Sequence, residues 1–355
     1  MKKIIAIFLP HQGCPHRCVF CSQPNITGVS GQRLPTTEEI CQQIERALSE
    51  PKSQEQGATF DVAFYGGTFT GMSLEIQHEF LRTAQIYVDR DEIEGIRIST
   101  HPAMINEAVI TLLSKFSVTL VEVGAQSFDD DVLRLARRGH TAEQAEYAIR
   151  ALQSAGMRVS IHLMIGLPGD SFEKSMASAH KAVELHPACI RLHPTLVIRS
   201  TTLADWYRKG RYDVLSLEET IRTCKAMLTL FYDQRIPVAR IGLQPTESLE
   251  ETLIAGPYHP AIRQMVESAI FFDQMAAWCE THPPESHRIE FAVSPQDLST
   301  ARGQRNENIR KLQLRFSLDQ VNIVANADLA RGELLCRNSD AVFKATLPTF
   351  SPQFA

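Results

Sequence analysis

The chain has 355 residues, of which 44% are hydrophobic and 22% are charged. This size and composition indicate a globular protein with one large domain or two, and they exclude disordered, collagen-like and disulfide-knot classes. The 36 basic and 41 acidic residues give a net charge of -5, so no general attraction to nucleic acid or anionic membrane is expected. The first apolar run, residues 4–9, is too short for a signal peptide or a membrane span.

Apolar runs with a period of two alternate along the chain with segments of helical period, which favours parallel α/β structure. The predicted strands are residues 4–9, 60–65, 96–100, 119–126, 158–165 and 189–198. The predicted helices are residues 37–49, 73–88, 104–114, 141–154, 171–185 and 217–232. Six strand-helix units predict a partial (β/α)6 TIM-like barrel, which we assign to residues 1–240.

Polar residues occupy one face of several predicted strands, where a filled barrel would carry Val, Ile or Leu. They are Arg97, Ser99, Glu122, Gln126, Ser160, His162, Arg191 and His193, and Met164 shares the face of Ser160 and His162. If the aliphatic faces pack against the helices, the polar faces line the lumen, which suits a polar ligand. For any single residue in this set, a structural hydrogen bond is the alternative.

Eight cysteines without an export signal indicate the reducing cytoplasm rather than a disulfide framework. Five are isolated among apolar neighbours and are predicted to be small buried hydrophobic residues: Cys41, Cys189, Cys224, Cys279 and Cys336. The other three, Cys14, Cys18 and Cys21, follow the first predicted strand with C-x3-C-x2-C spacing.

Three thiolates on one loop indicate a metal centre at Cys14, Cys18 and Cys21. A closed zinc site needs a fourth ligand, and His11 or His16 would have to supply it. A 4Fe-4S cluster held by three cysteines leaves one iron open to chelate a substrate and pass it an electron. The cluster is the favoured interpretation, with zinc as the alternative.

The three cysteines, with the aromatic Phe20 before the last of them, resemble the signature of the radical S-adenosylmethionine (SAM) superfamily. The resemblance implies a 4Fe-4S cluster on Cys14, Cys18 and Cys21, with SAM chelated to the open iron through its methionine moiety. It also implies an external electron donor of the flavodoxin or ferredoxin type. One electron then cleaves SAM to a 5'-deoxyadenosyl radical, which abstracts hydrogen from a substrate.

Gly66-Gly67-Thr68, at the end of the second predicted strand, is similar to a family turn whose bare backbone approaches the methionine amino group of SAM. A phosphate-binding loop is excluded here, because residues 66–71 precede no Gly-Lys-Ser or Gly-Lys-Thr.

Motifs at the later strands imply further SAM contacts. The run Gly124 to Phe128 resembles a family motif in which Gln126 lies against the SAM ribose. In residues 137–141, Arg138 matches a family arginine that pairs with the SAM carboxylate, and a solvated helix end is the alternative. Residues 162–169 resemble the motif that packs on adenine and ribose, although the coproporphyrinogen oxidase branch has aspartate at the position of His162. The implied contacts also include Ser99 and Met164.

Residues 191–201 and 210–212 are similar to the sixth strand and following loop of Elongator's catalytic subunit. That subunit has wider spacing between its first two cluster cysteines and carries an acetyltransferase domain, for which this chain has no region long enough. We therefore predict a radical SAM enzyme of unidentified substrate, with tRNA or another RNA as a candidate and no membrane or DNA partner. The alternatives are a coproporphyrinogen-oxidase-like enzyme of small molecules and a noncatalytic iron-sulfur or SAM-binding protein.

Residues 241–355 are predicted to form an accessory region, a small α/β extension with helices at 260–278 and 300–312 and strands at 321–324 and 333–336. Residues 255–260 are a candidate lid over the barrel mouth, with an ordinary packed connection as the alternative. Five basic residues lie against one acid, Glu307, in residues 301–315: Arg302, Arg305, Arg310, Lys311 and Arg315. On one helix, part of this charge would gather on a face able to hold RNA phosphates, and a solvated helix is the alternative.

Overall fold

The structure is a computed structural model that describes residues 2–28, 33–50, 58–283, 287–338 and 341–346. The chain divides into two compact units. Among the described residues, the first unit contains positions 2–217 and 236–258, and the second contains positions 218–235 and 259–346. The predicted barrel boundary at residue 240 stays a prediction.

The first unit alternates strands and helices along the chain. Its strands are β1 (Lys2–Phe8), β2 (Thr59–Tyr65), β3 (Gly95–Thr100), β4 (Val118–Gln126), β5 (Val159–Ile165), β6 (Cys189–Pro194), β7 (Val197–Ile198), β8 (Val238–Ile241) and β9 (Leu253–Ala255). Its helices are α1 (Gln23–Thr27), α2 (Thr37–Ser49), α3 (Leu74–Asp89), α4 (Glu107–Leu113), α5 (Asp130–Leu135), α6 (Ala142–Ser154), α7 (Phe172–Glu184), α8 (Thr202–Arg208) and α10 (Glu247–Thr252). Short 3-10 turns lie at Phe69–Gly71 and Pro102–Met104.

Seven of these strands form one parallel sheet in the order β1-β2-β3-β4-β5-β6-β8. The predicted partial α/β barrel is confirmed, with one strand more than predicted. The additional strand, β8, has only four residues, too few to show a hydrophobic period in the sequence. The last predicted strand ends at Pro194, and β7 beyond it pairs with β9 in a separate antiparallel ribbon.

The sheet is strongly curled. Arg191 on β6 brings its Nη2 to 3.4 Å from the hydroxyl of Tyr65 on β2. These strands are four positions apart, which in a flat sheet would separate them by about 19 Å. The two side chains therefore lie on a concave polar face. The alternating residues point to the other face and are buried, as Val121, Val123 and Ile161 show.

Helix starts in the first unit follow from local sequence. Thr36 and Glu39 form a capping box at the start of α2, and Thr141 and Gln144 form another at the start of α6. The predicted helix over residues 104–114 begins later than expected, at Glu107, because Asn106 caps it and a 3-10 turn precedes it.

The helices of the second unit are α9 (Leu217–Asp233), α11 (Ile262–Thr281), α12 (Leu298–Arg302) and α13 (Glu307–Phe316). The first residue of α9, Leu217, still belongs to the first unit. The strands are β10 (Arg288–Val293), β11 (Gln320–Ala325), β12 (Glu333–Asn338) and β13 (Ala341–Thr346). The strand order is β11-β10-β12-β13, with β10 and β11 parallel and the other pairs antiparallel. The helix predicted at residues 260–278 and the two predicted strands are confirmed.

The single helix predicted over residues 300–312 is wrong. The chain breaks between α12 and α13, where Arg305 and Asn306 adopt left-handed backbone with φ of 51° and 60°. The basic residues are thereby divided between two short helices and the break. Partners engage three of them: Arg302 donates to the Ile323 carbonyl, Lys311 pairs with Glu307, and Arg315 pairs with Glu280.

The first residues of the candidate lid, 255–258, pack within the first unit. Ala255 pairs with Val197 in the β7-β9 ribbon. Tyr258 packs on a buried apolar cluster with Leu196 and Leu249. For residues 255–258 the structure supports the packed alternative. Within the described ranges, no helix combines the length and apolar character that crossing a membrane requires.

Candidate functional site

The cysteine loop follows β1 and is held against the turn that follows β2. The amide of His11 donates to the Gly66 carbonyl at 3.0 Å, and the amide of Thr68 donates to the Gln12 carbonyl at 2.8 Å. Because both strands are parallel neighbours, loop and turn meet at the carboxyl edge of the sheet. This edge is where α/β barrels carry their functional groups.

Glycines allow this loop and turn to touch through their backbones. A Cβ on Gly71 would lie 2.0 Å from the Gly13 carbonyl oxygen, and a Cβ on Gly67 would lie 2.4 Å from the Leu9 carbonyl oxygen. Neither position accepts a side chain without movement of the backbone. The missing side chain of Gly67 therefore makes room for the cysteine loop, and the predicted backbone contact of Gly67 with SAM stays a prediction.

The three thiols lie close enough to influence one another's ionisation. Burial, followed by the neighbouring thiols of Cys18 and Cys14, raises the pKa of Cys21 to about 12. Each sulfur also has one polar neighbour: Thr68 Oγ1 at 3.4 Å from Cys14, Arg138 Nη1 at 3.0 Å from Cys18, and Gln23 Nε2 at 3.4 Å from Cys21. The loop therefore presents its three cysteines as one group with hydrogen-bonding support.

The arrangement bears on the choice of metal. Among the described residues, no group of three or more His, Cys, Asp and Glu side chains is arranged around a single ion. His11 Nε2 accepts a hydrogen bond from the Gln23 amide at 3.1 Å, so this ring nitrogen is already engaged. In a 4Fe-4S cluster each cysteine binds a different iron, so its sulfurs need not converge on one point.

Gln126 and Arg138 meet at the end of β4. Gln126 has a left-handed backbone with φ of 67°, and the pairing of β4 with β5 is irregular between Val123 and Gln126. Such strain in a residue other than glycine persists where the surrounding structure fixes it. Arg138 Nη2 donates to the Gly124 carbonyl at 2.5 Å, while its buried Nε has no hydrogen-bond partner within the described residues.

One cavity of about 610 Å³ joins these groups. Of the predicted site residues, those lining it are Cys14, Cys18, Phe20, Cys21, Gly66, Gly67, Thr68, Ser99, Gln126, Arg138 and His162. Met164 is not among them, because it packs on Val132, Ala136 and Leu167. Tyr65, His101 and residues of the segment after β8 also line the cavity and were not predicted there.

Comparison with known families matches residues 8–181 to the Radical SAM superfamily and residues 187–271 to the radical SAM C-terminal domain. The chain belongs to the radical SAM superfamily. Members of this superfamily bind a 4Fe-4S cluster and SAM, and these are the cofactors of its chemistry.

Among radical SAM relatives, the tRNA uridine(34) acetyltransferase of Dehalococcoides mccartyi is 26% identical over 239 residues, 59% of this chain and 52% of that protein. Protein YhcC of Escherichia coli is 22% identical over 227 residues, 61% of this chain and 70% of that protein. A solved structure of Methanocaldococcus infernus Elp3 with an N-terminal deletion shares the fold, with a TM-score of 0.57, 20% identity, and coverage of 78% of this chain and 63% of that one. The chain spans about half the length of the first curated relatives it matches.

The residues present fit both radical SAM cofactors. Three grouped thiols suit a 4Fe-4S cluster with one open iron. The unpartnered Arg138 Nε suits a carboxylate such as that of SAM, since a buried guanidinium nitrogen left without an acceptor is costly. The cavity also lies in the size range of small-molecule sites.

Two buried histidines that were not predicted as site residues support the backbone of Arg138. His101 Nε2 donates to the Arg138 carbonyl at 2.7 Å, and its Nδ1 accepts from the Ala103 amide at 3.2 Å. His140 Nδ1 lies 3.2 Å from the same His101 nitrogen. Burial and the nearby Arg138 charge lower the pKa of both histidines to about 3, so both are neutral at physiological pH.

A second polar group occupies the lumen. The Glu122 carboxylate is 1% exposed and accepts hydrogen bonds from the Tyr65 hydroxyl, from His162 Nε2 at 2.8 Å and from Arg191 Nη2 at 3.2 Å. Burial raises the pKa of this carboxyl, but Arg191 and the His162 hydrogen bond outweigh burial and lower it to about 2. Glu122 is therefore ionised and paired at all physiological pH values.

His193 lies beside this group, with its ring centroid 5.6 Å from that of His162. Both ring nitrogens are buried and have no hydrogen-bond partner in the described part of the chain. Burial, His162 and Arg191 lower the pKa of His193 well below its usual value, so the ring is neutral. It leaves one donor and one acceptor unused on the cavity wall.

Proposed function

We propose that this chain is a radical SAM enzyme that binds its 4Fe-4S cluster through Cys14, Cys18 and Cys21 and cleaves SAM reductively. The observation that supports the proposal is the single cavity, which receives the three thiols, Arg138 and the polar lumen residues. When bound, the cluster and SAM supply a 5'-deoxyadenosyl radical for hydrogen abstraction. We assign the supply of electrons to an external flavodoxin- or ferredoxin-type protein.

The chain's own residues then orient SAM. Arg138 offers its unpartnered Nε to the carboxylate, and Gln126 offers its amide to the ribose. Gly66, Gly67 and Thr68 lie on the wall nearest the cysteine loop, where the methionine amino group would meet backbone carbonyls. The assignment of these three residues to the methionine amino group is supported by their position on this wall of the cavity.

His162 and Ser99 contribute at the lumen side of this site. His162 Nε2 is committed to Glu122, so only Nδ1 remains to accept a hydrogen bond from adenine or ribose. Ser99 donates to the Gly67 carbonyl at 3.2 Å and thereby steadies the turn. Met164 packs on the same buried apolar cluster as Phe20 and does not line the cavity.

An RNA nucleotide is the substrate class that we propose for the lumen. Its support is the similarity, over 239 and 254 residues, to two proteins named tRNA uridine(34) acetyltransferase. A base must leave its stack to reach a buried reactive centre, and the cavity is large enough for a small molecule of that size. A small-molecule substrate, as in coproporphyrinogen oxidase, is the competing outcome.

Anaerobic reconstitution of the chain with iron and sulfide tests the proposed cluster and the proposed cleavage of SAM. We expect about four iron and four sulfide per chain, dithionite-dependent release of 5'-deoxyadenosine from SAM, and loss of iron in Cys14→Ala, Cys18→Ala and Cys21→Ala. Cys41→Ala is the matched control, because Cys41 lies on α2 and does not line the cavity. Stoichiometric zinc in a colourless protein would overturn the cluster, and a loaded protein that releases no 5'-deoxyadenosine with or without cell extract would favour the noncatalytic alternative.

A tRNA titration at two salt concentrations tests the substrate class. Binding through phosphates must weaken as salt rises. Arg305→Glu with Arg310→Glu probes the exposed basic residues of the second unit. Arg302 is left intact because it supports the Ile323 carbonyl. Salt-independent or absent binding, with labelled product appearing only from small-molecule extracts, would overturn the RNA proposal.

A further inference from the structure

Arg138 places its guanidinium directly against one of the three cysteines. Its Nη1 lies 3.0 Å from Cys18 Sγ, within the range of an N–H donor to sulfur. The residue is only 7% exposed, so water does little to screen its charge. A buried, permanently charged donor therefore faces a sulfur that would carry an iron.

The fold leaves this guanidinium little freedom. Its Nη2 is fixed on the Gly124 carbonyl, and a Cβ at Gly124 would lie 3.3 Å from the same nitrogen. The Arg138 carbonyl is held by His101, whose partner His140 is in turn 3.2 Å from the Ala125 carbonyl. Hydrogen bonds thus fix Arg138 at both its backbone and its side chain.

We propose that Arg138 is a positioning residue that raises the reduction potential of the cluster through Cys18. The inference rests on the proposed cluster at Cys14, Cys18 and Cys21. Reduction adds one electron from the external donor to the cluster, and no bond forms or breaks at Arg138. The added negative charge spreads onto the cysteine sulfurs, so a fixed N–H donor and a positive charge stabilise the reduced state more than the oxidised state.

This role is separate from a contact with the SAM carboxylate. The nitrogen on Cys18 is Nη1, whereas the nitrogen without a partner is Nε. The two roles use different atoms of one side chain, so a measurement without SAM isolates the effect on the cluster.

The test is a redox titration followed by electron paramagnetic resonance on the full, reconstituted chain without SAM. Arg138→Leu should lower the ratio of reduced to oxidised cluster at a fixed potential at least tenfold, which is 59 mV for a one-electron couple. Arg138→Lys keeps the positive charge but loses the planar guanidinium, so its cluster should have a reduction potential between those of wild type and Arg138→Leu. Arg137→Met is the control, because the Arg137 guanidinium lies 5.7 Å over the Trp206 ring instead.

Equal potentials for wild type and Arg138→Leu, each with a full complement of iron, would overturn the inference. So would an equal shift in Arg137→Met. If Arg138→Leu retains no iron, Arg138→Gln replaces it, and a wild-type potential in that variant overturns the inference in the same way. A wild-type chain that binds no cluster would instead overturn the proposed function, so the two failures are distinguishable.

Discussion

Replacement of Glu122 by glutamine should lower the free energy of unfolding by an amount that the structure allows us to estimate. Glu122→Gln keeps the size of the side chain but removes its charge, and it leaves Arg191 buried against a neutral amide. Because the Arg191 side chain is only 17% exposed, water cannot replace the lost carboxylate. The variant should fold but unfold at lower denaturant concentration.

The magnitude follows from two routes. The drop in the Glu122 pKa from its ordinary value of 4.5 to about 2 corresponds to about 3 kcal/mol of stability at pH 7. Removal of one partner from a buried ion pair costs about 3–5 kcal/mol in general. Since the folded pKa is lowered, this stabilisation is complete above pH 4.5 and is lost as the pH falls towards 2. The gap between wild type and variant should therefore narrow in acid.

Urea unfolding followed by far-ultraviolet circular dichroism at pH 7 and in acid measures this gap. Glu39→Gln is the matched control, because Glu39 also pairs with an arginine, Arg33, but lies in solvent, and glutamine preserves the capping box. Adding Arg191→Met to Glu122→Gln should restore part of the lost stability, because no unpaired charge remains. The reasoning would be refuted if the free energy of unfolding of Glu122→Gln lay within about 1 kcal/mol of the wild-type value. It would also be refuted if the double variant were less stable than Glu122→Gln alone.

Two further predictions follow from the site. Gly71→Ala should displace the cysteine loop, since its Cβ would lie 2.0 Å from the Gly13 carbonyl oxygen. The iron content per chain after reconstitution should fall while the circular dichroism spectrum is unchanged, and full iron loading would contradict this. His193→Leu should raise the melting temperature of the cofactor-free chain, because it removes two buried ring nitrogens that have no hydrogen-bond partner among the described residues. A lower melting temperature would contradict this and would show that His193 has a structural partner.

The sequence predicted the parts of the site that depend on short-range pattern. The cysteines were found from their spacing on the loop after β1, whereas the Gly-Gly turn, Gln126 and Arg138 were found by resemblance to motifs of the radical SAM superfamily. All of them line one cavity. The alternation of apolar residues likewise predicted the parallel sheet, and the buried positions of β5 and β6 follow a period of two over most of their length.

Features that depend on distant contacts were not predictable. His101 and His140 meet only because the turn after β3 lies beside the turn after α5, and no local pattern marks either residue. The break between α12 and α13 requires left-handed backbone at Arg305 and Asn306, residues that helical periodicity alone does not exclude. The packing of Gly67 against the cysteine loop was not predicted, because the backbone it faces lies far away along the chain, at Leu9.

The contact between the cysteine loop and the turn after β2 has a consequence for the order of assembly. The loop takes its shape from Gly13 against Gly71, 58 positions later, and from strands that must already be paired. A nascent or unfolded chain therefore has the three cysteines but not the spacing of their sulfurs. We therefore expect iron to enter only after β1 has paired with β2, when the apo chain already holds the cysteine loop in place.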